Sequence, residues 1–484
     1  MNASLEIVPR HGPAAVPGPR DRRPFWIALL VAGAFFMENL DGTVITTAMP
    51  AMAASFRILP VDLNVGVSAY LLTLAVFIPA SGWIADRFGA RRIFATAVVI
   101  FTGASLLCGV SQGLGEFVAV RVLQGIGGAM MVPVGRLVVL KNTPKERLIG
   151  AIATLTWPAL VAPVLGPPLG GILTSYAGWR WIFYLNLPLG IAALVASLAL
   201  IPDNPPAPRR RFDGIGFVLG GLAILSLMGG VELIGRDTVA WGPVIACGTI
   251  GAILFAGTVR HLNRTVDPMI SFAALKVATY AVTIQGGSLC RMAIFAAPFL
   301  LPLMFQVGFG LDPVRSGLLV IAVFAGNLMM KPATTPILRR FGFKTVLVGN
   351  GVLNALSLLA CAFIEPTTPV PVIVLILFVG GLTRSMQFTA VNTIAFADVA
   401  AADMTAANTL FSTISQLSSG LGVALGAIGI RLGHGFWLLT GITAPQAGDF
   451  RLAFVLVAVV ALIGVLDSLR LDRAAGDHVA RRRS

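Results

Sequence analysis

The sequence predicts an all-α polytopic membrane protein, and three observations predict it. Hydrophobic residues fill 56% of the 484 positions, charged residues only 12%, and mean hydropathy is +0.87. A soluble chain carries roughly twice that charged share. Apolar runs of about 20 residues, the length that crosses a bilayer core as a helix, recur from end to end. Lysine and arginine then alternate between rich and poor connections along the chain. The shorter alternating segments of a transmembrane β-barrel do not occur in the sequence.

Fourteen spans are predicted, near residues 25–50, 64–84, 93–112, 117–140, 148–174, 180–201, 213–234, 240–260, 279–307, 314–336, 344–364, 370–396, 405–430 and 450–469. With that count, the even-numbered connections and the two termini hold 24 Lys and Arg, and the odd-numbered connections hold 6. The positive-inside rule then places both termini in the cytoplasm. The same asymmetry accounts for the net charge of +14 without any nucleic acid. The polar, Pro-rich residues 1–24 are expected to be an uncleaved tail. The run behind DRRPFW contains acids and lacks a small-residue cleavage pattern.

An internal repeat fits this layout. GWIADRFGARRIF (Gly82–Phe94) follows the second span and TPILRRFGFKTVL (Thr335–Leu347) follows the tenth, with Gly342 standing 253 residues after Gly89. The same offset carries the start of the first span to the start of the ninth. The expected organisation is a cytoplasmic tail (1–24), a six-helix bundle (25–202), two inserted spans with their loops (203–278), a second six-helix bundle (279–470) and a cytoplasmic tail (471–484). Parallel repeats of this kind are a transporter architecture.

Five motifs, in order along the predicted spans, carry a family resemblance. They are Gly82-x-x-x-Asp86-Arg87-x-Gly89-x-Arg91-Arg92, LDGTVITTAMP in the first span, RVLQGIGGAM (Arg121–Met130) in the fourth, LGPPLGG (Leu165–Gly171) in the fifth and WRWIFYLNLPLG (Trp179–Gly190) opening the sixth. Together they resemble the major facilitator superfamily, and within it the fourteen-span drug:proton antiporter branch. The resemblance implies the major facilitator fold, two six-helix bundles plus two extra central helices, and proton-coupled export of small amphipathic compounds. It departs at Thr46, where the branch usually has Asn, at Met49, where it usually has Leu, and at Arg339, which stands where Asp86 falls in the first copy of the loop.

The motif residues have physical readings of their own. A short loop turned at Gly89 holds Asp86 near helix ends, where it can accept hydrogen bonds from amides or arginines. Arg87, Arg91 and Arg92 can pair with acids or lipid phosphates. With Gly82 they form a candidate conformational latch. Pro163, Gly166, Pro167, Gly170 and Gly171 bring kinking residues and close-approach residues into about two and a half turns of the fifth span. The resemblance makes that bend a mark of antiport.

Charged residues inside spans are rare and face a bundle interior or water. Glu38 and Asp41 lie three apart and share a face of the first span. A carboxylate held away from bulk water resists its charged form, so this pair is the candidate proton carrier, Asp41 foremost. Arg121 stays charged at any relevant pH and is its candidate counter-charge, with Gln124 on the same face. Arg291 and Arg384 are mid-span, and Gln387, Asn392, Met386 and Phe388 accompany Arg384. Together with Gln124 these six are candidates for a wet substrate cavity, although a structural polar cluster fits the group around Arg384 equally well. Lys331 and Glu232 lie nearer span ends and read as ordinary flanking charges.

Enzymatic chemistry has no footing. There is no phosphate-loop or H-E-x-x-H pattern. The histidines (His11, His261, His434, His478) are isolated, and Cys108, Cys247, Cys290 and Cys361 lack metal or redox spacing. No cofactor or metal is expected. The expected partners are a small-molecule substrate, protons and the lipid bilayer, with the chain working as a monomer in a bacterial inner membrane. The alternatives left open are a metabolite or sugar-type carrier of the same fold and a non-transporting membrane sensor or scaffold.

Overall fold

Sixteen α-helices account for the apolar runs in the computed structural model, which describes residues 23–58, 63–203, 211–234, 240–440, 447–472 and 475–476. The N-terminal tail up to residue 22, and residues 473–474 and 477–484 of the C-terminal tail, lie outside the described residues. In chain order the helices of the first half are α1 (Arg23–Phe56), α2 (Asn64–Phe77), α3 (Ser81–Phe88), α4 (Ala90–Val110), α5 (Leu114–Asn142), α6 (Leu148–Tyr176), α7 (Trp181–Tyr184) and α8 (Asn186–Leu200). The inserted pair is α9 (Gly214–Ile234) and α10 (Trp241–Leu262). The second half holds α11 (Ala278–Ile284), α12 (Gly286–Leu303), α13 (Pro313–Cys361), α14 (Val370–Ala397), α15 (Met404–Thr440) and α16 (Ala447–Ser468).

Twelve helical stretches among the described residues are long and apolar enough to cross a membrane, so this is a multi-pass membrane protein. One of them, Arg315–Cys361, is 47 residues long, twice what a bilayer core requires. It is broken at Gly342 (φ 76°, ψ 164°). The 29-residue α6 is not among the twelve but covers the fifth predicted span. Each of the fourteen predicted segments falls on a helix.

Gly89 (φ 90°, ψ 130°) separates α3 from α4 just as Gly342 divides α13. Both conformations lie where only glycine avoids a clash of Cβ with the backbone. The sequence repeat is therefore also a repeat of backbone geometry: a helix, a glycine corner, then a second helix running back. Elsewhere glycine serves close approach. A Cβ on Gly326 would lie 2.1 Å from the Phe378 carbonyl oxygen, and one on Gly381 2.0 Å from that of Val323. The first part of α13 and α14 thus pack backbone to backbone.

The apolar core is distributed unevenly. One cluster near the Asp86 loop draws on both halves, from Phe35, Phe94 and Phe101 to Tyr280, Phe343, Phe396 and Phe411. Toward the opposite end the core divides. Val44, Phe56, Phe117, Trp179 and Phe183 form one cluster inside the first half. Leu300, Phe305, Phe450, Phe454 and Val457 form another inside the second.

Hydrogen bonds between the halves gather at the same end as the shared core. Thr405 Oγ1 donates to Asp86 Oδ1 (3.0 Å), and Asn408 Nδ2 to the Pro133 carbonyl (2.9 Å). Lys145 Nζ reaches the carbonyls of Ala397 (2.7 Å) and Val399 (3.2 Å), where a cation also suits the C-terminal end of α14. Lys331 Nζ donates to Thr156 Oγ1 (2.6 Å) across the divide and to Thr389 Oγ1 (3.1 Å). All these groups lie within about three helical turns of the Asp86-loop end. Lys331 is therefore a bridge between the halves and not the ordinary flanking charge its position in the sequence suggests.

The inserted pair is clipped at its base. Asp213 Oδ1 accepts from the Gly216 amide (2.8 Å) and bonds His261 Nε2 (2.8 Å), while Oδ2 accepts from the Met269 amide (3.3 Å). Burial alone would raise the carboxyl of Asp213. The His261 bond and the two amides outweigh it and hold the group below its ordinary value.

The glycine corners supply the first testable consequence. Gly342→Ala should destabilise the protein by about 1–3 kcal/mol, whereas Gly349→Ala, whose added Cβ meets nothing within 4 Å, should be neutral or slightly stabilising. Thermal unfolding of the two purified variants checks this, and equal melting temperatures would contradict it.

Candidate functional site

α1 brings two carboxylates to the middle of the first half, and they point into different surroundings. Asp41 is only 1% exposed. Its Oδ2 takes a 2.6 Å ion pair from Arg121 Nη1 on α5, itself fully buried. Its Oδ1 accepts from Gln124 Nε2 (2.9 Å) and from Asn186 Nδ2 on α8 (3.0 Å). Gln124 and Asn186 also donate to Ser105 Oγ on α4, at 2.9 and 3.1 Å. Arg121 Nη1 further donates to Gln124 Oε1 (2.6 Å), and the guanidinium lies 4.2 Å from the centre of the Tyr70 ring on α2. Five helices are tied to one carboxylate.

The helical spacing explains much of this. Arg121 and Gln124 are three apart on α5, so both face α1. Small residues clear the approach: a Cβ on Gly125 would lie 2.8 Å from the Tyr70 carbonyl. A fully buried pair survives only when its remaining hydrogen-bonding capacity is met. The amides and the hydroxyl meet it on the carboxylate side, while Arg121 Nε and Nη2 have no hydrogen-bond partner among the described residues and rely on the face of Tyr70.

Glu38 makes no hydrogen bond to that network among the described residues, although its Oε2 and the Tyr70 hydroxyl border the same glycine, Gly128. Glu38 lines a cavity of about 70 Å³ between α2, α5 and α15, together with Arg136, Ser412, Ser415 and Gln416. Its buried Oε2 has no hydrogen-bond partner among the described residues. Arg136 lies across the boundary between the halves: it donates to Ser412 Oγ (3.5 Å) and stacks on Phe411 at 4.9 Å. Arg291, from the second half, stacks on the same ring at 4.5 Å and donates to the Thr283 carbonyl (2.8 Å).

The other predicted substrate residues are not brought together. Gln387 pairs with Asn350 and the Leu347 carbonyl inside the second half. Asn392 donates to the Phe388 carbonyl one turn back on its own helix (2.6 Å). The Phe388 ring meets Phe295 edge-on at 6.2 Å, and Met386 is buried. Arg384 faces a separate cavity within the second half. Spacing along one helix placed these residues near one another, but their side chains diverge around it.

In the loop motif, the partners of Asp86 are Lys141 (3.5 Å) and the Thr405 hydroxyl, not an arginine. Arg91 donates to the Leu198 carbonyl, and Arg87 lines a cavity of about 410 Å³ beside Asp86. Arg92 is exposed. A Cβ on Gly82 would sit 2.0 Å from Thr409 Oγ1, so this glycine lets α15 approach. In the second copy of the loop, Arg339 is exposed. The fifth-span motif works partly through contact with α1: a Cβ on Gly166 would lie 2.2 Å from Thr43 Oγ1, and one on Gly170 2.5 Å from the Val44 carbonyl. Gly171 has open space, and the side chains of Pro163, Pro167, Thr46 and Glu232 lie outside the described ones.

Sequence reasoning missed Asn186, Ser105, Tyr70 and Arg136. Asn186 stands inside the WRWIFYLNLPLG motif and Arg136 inside an apolar span. Those two signals were available; Ser105 and Tyr70 carried none.

Two helical halves around a buried charge network define a class of protein: an integral membrane transporter fold with polar machinery in its interior. The profile of the Major Facilitator Superfamily matches residues 31–423 and, in a second match, 283–482, and the chain belongs to that family. Among similar proteins is one from Citrobacter koseri named "Putative multidrug resistance protein MdtD". It is 38% identical over 409 residues, covering 83% of this chain and 85% of its own. Its namesake in Serratia proteamaculans is 39% identical over 406 residues, covering 83% and 84%. That of Enterobacter sp. strain 638 is 37% identical over 458 residues, covering 94% and 96%. The crystal structure of the human organic anion transporter MFSD10 (TETRAN) superposes with a TM-score of 0.65 over 93% of this chain and all of that one. At 14% identity it supports the fold alone.

The network predicts an asymmetry between single and double substitutions. Arg121→Ala leaves a buried carboxylate unpaired and should cost about 3–5 kcal/mol, whereas Asp41→Asn combined with Arg121→Gln should cost much less. A double-mutant cycle on thermal stability in detergent measures the difference. Additive effects would mean that the two side chains do not act as a pair.

Proposed function

We propose that this protein is a proton-coupled antiporter that exports small amphipathic compounds across a bacterial inner membrane by alternating access. The observation that carries the reading is a pair of carboxylates one turn apart on α1. One is closed inside the first half by Arg121, Gln124 and Asn186; the other lines a cavity at the boundary with the second half. The names of the similar bacterial proteins support drug export as the cargo.

In this reading the chain crosses the membrane fourteen times with both termini in the cytoplasm. Residues 25–202 and 279–470 form the two bundles, and residues 203–278 supply the two inserted spans. The tied end is then cytoplasmic, and the conformation faces outward. Asp41 is the principal proton site, Arg121 its counter-charge and Glu38 a lesser site beside the cavity. Protonation removes the charge that Arg121, Gln124 and Asn186 grip. α1 is thereby freed to shift, and it carries Glu38 against Arg136 and the α15 side of the cavity. Asp86, Lys141 and Thr405 fasten the cytoplasmic gate. Both charged partners are partly exposed, so the ion pair itself contributes at most about 1 kcal/mol. That is weak enough to open in each cycle. The close packing of α6 on α1 at Gly166 and Gly170 supports a role for the fifth-span motif in the same movement.

The energy suffices. A proton crossing 100 mV releases about 2.3 kcal/mol, which concentrates a neutral substrate tens-fold. The chain works as a monomer and uses no cofactor.

Flux in proteoliposomes tests the reading. With an imposed pH gradient, the wild type should move a fluorescent amphipathic dye uphill and release protons in return. Asp41→Asn should lose uphill transport while keeping downhill exchange, and Glu38→Gln should shift the pH profile without abolishing coupling. Uphill pumping by Asp41→Asn at the wild-type rate would remove Asp41 from the mechanism.

A further inference from the structure

Arg384 sits in the middle of α14, 8% exposed. Its guanidinium makes no hydrogen bond or ion pair with any described residue, and its Nε is buried without a partner. No acid occurs in α12, α13, α14 or α15 to reach it. Among the described residues the two other buried arginines are held, Arg121 by Asp41 and Arg291 by a carbonyl and an aromatic face, and the half-buried Lys331 is held by two hydroxyls. Arginine cannot shed its proton to escape the cost of burial, and an unpaired buried charge is strongly destabilising.

Arg384 lines a small cavity of about 30 Å³ between α12, both parts of α13 and α14. The carboxamide of Asn354, 4% exposed, lines the same cavity and also makes no hydrogen bond to a described side chain or carbonyl. Ser357, a third polar wall residue, donates to the Asn354 carbonyl (2.8 Å) and meets Thr383 Oγ1 at 3.4 Å. The remaining wall is mainly apolar, with Ile294, Leu301, Leu358 and Leu377 among it. A permanent cation and an amide donor, both idle, thus converge on one small space without any negative group.

We propose that this cavity is a binding site for a small inorganic anion of the size of chloride. The volume holds one or two water-sized particles, enough for a halide and too little for an organic substrate. Arg384 supplies the charge and the Asn354 amide a further donor. The mainly apolar wall lowers the local dielectric, which strengthens the attraction. The anion is structural to the second half, since it neutralises a charge between the helices that flank it. The site is independent of the proton-coupling network in the first half, so its test does not depend on the transport reading.

The experiment is thermal unfolding of the purified full-length protein in detergent, exchanged into gluconate and then titrated with sodium chloride or sodium bromide at constant ionic strength. The melting temperature should rise and saturate with either halide, as linkage requires for a ligand that binds only the folded state. It should stay level when gluconate replaces the halide. Arg384→Gln and Asn354→Leu should each diminish the rise, and Arg384→Gln should abolish it. A wild type indifferent to halide would overturn the proposal and leave the cavity merely hydrated. A full halide response in Arg384→Gln would equally overturn it by placing the anion elsewhere. If neither variant can be purified, the wild-type titration alone decides.

Discussion

The ion pair between Arg121 and Asp41 is the constraint around which the first half is arranged. Both groups are out of contact with water, and separating them would leave one unpaired charge in an apolar interior. Each neighbour serves that pair. Gln124 and Asn186 bind the second carboxylate oxygen, Ser105 holds both amides, and Tyr70 covers the face of the guanidinium. An all-apolar interior would pack as firmly. In the proposed cycle the polar alternative lets α1 pass between two states of different charge, and α1 also carries Glu38 to the boundary between the halves.

That boundary is closed at one end only by what the structure places there. A single apolar cluster and a set of side-chain hydrogen bonds join the halves near the Asp86 loop, while the core at the other end is two separate clusters. Glycines let the paired helices approach within each half, and the corners at Gly89 and Gly342 repeat the same turn. The halves are thus firm bodies with a divisible contact. Rigid-body rocking requires this, since packed interiors resist continuous deformation. The Arg136 and Arg291 side chains, stacked on Phe411 from opposite halves, lie on that divisible surface.

The spans were legible because membrane helices announce themselves by length and by the alternation of arginine and lysine. The repeat was legible because a glycine corner with a positive φ leaves little choice of residue. The contact of Asp41 with Arg121 was legible too, since two opposite charges inside apolar spans have few other places to go, and Gln124 followed from helical spacing. The rest depended on which helices become neighbours. Asn186 and Ser105 are ordinary small polar residues until α4 and α8 set them against α1. Arg136 drew no reading of its own from the sequence, and Lys331 read as a flanking charge. Arg384, Gln387 and Asn392 read as a cluster near one face of a helix, yet Arg384 meets a cavity inside the second half, Gln387 turns to Asn350 and Asn392 bonds back to its own helix.

In the proposed cycle, protonation of Asp41 decides which end of the molecule is closed. Pulsed electron spin resonance distances between the halves, with one label pair at the Asp86-loop end and one at the opposite end, test this in lipid discs across a pH titration. The wild type should exchange populations as pH falls, with the Asp86-loop end opening while the opposite end closes. Asp41→Asn should show one distribution at every pH. Distances in Asp41→Asn that still follow pH as the wild type does would contradict the claim.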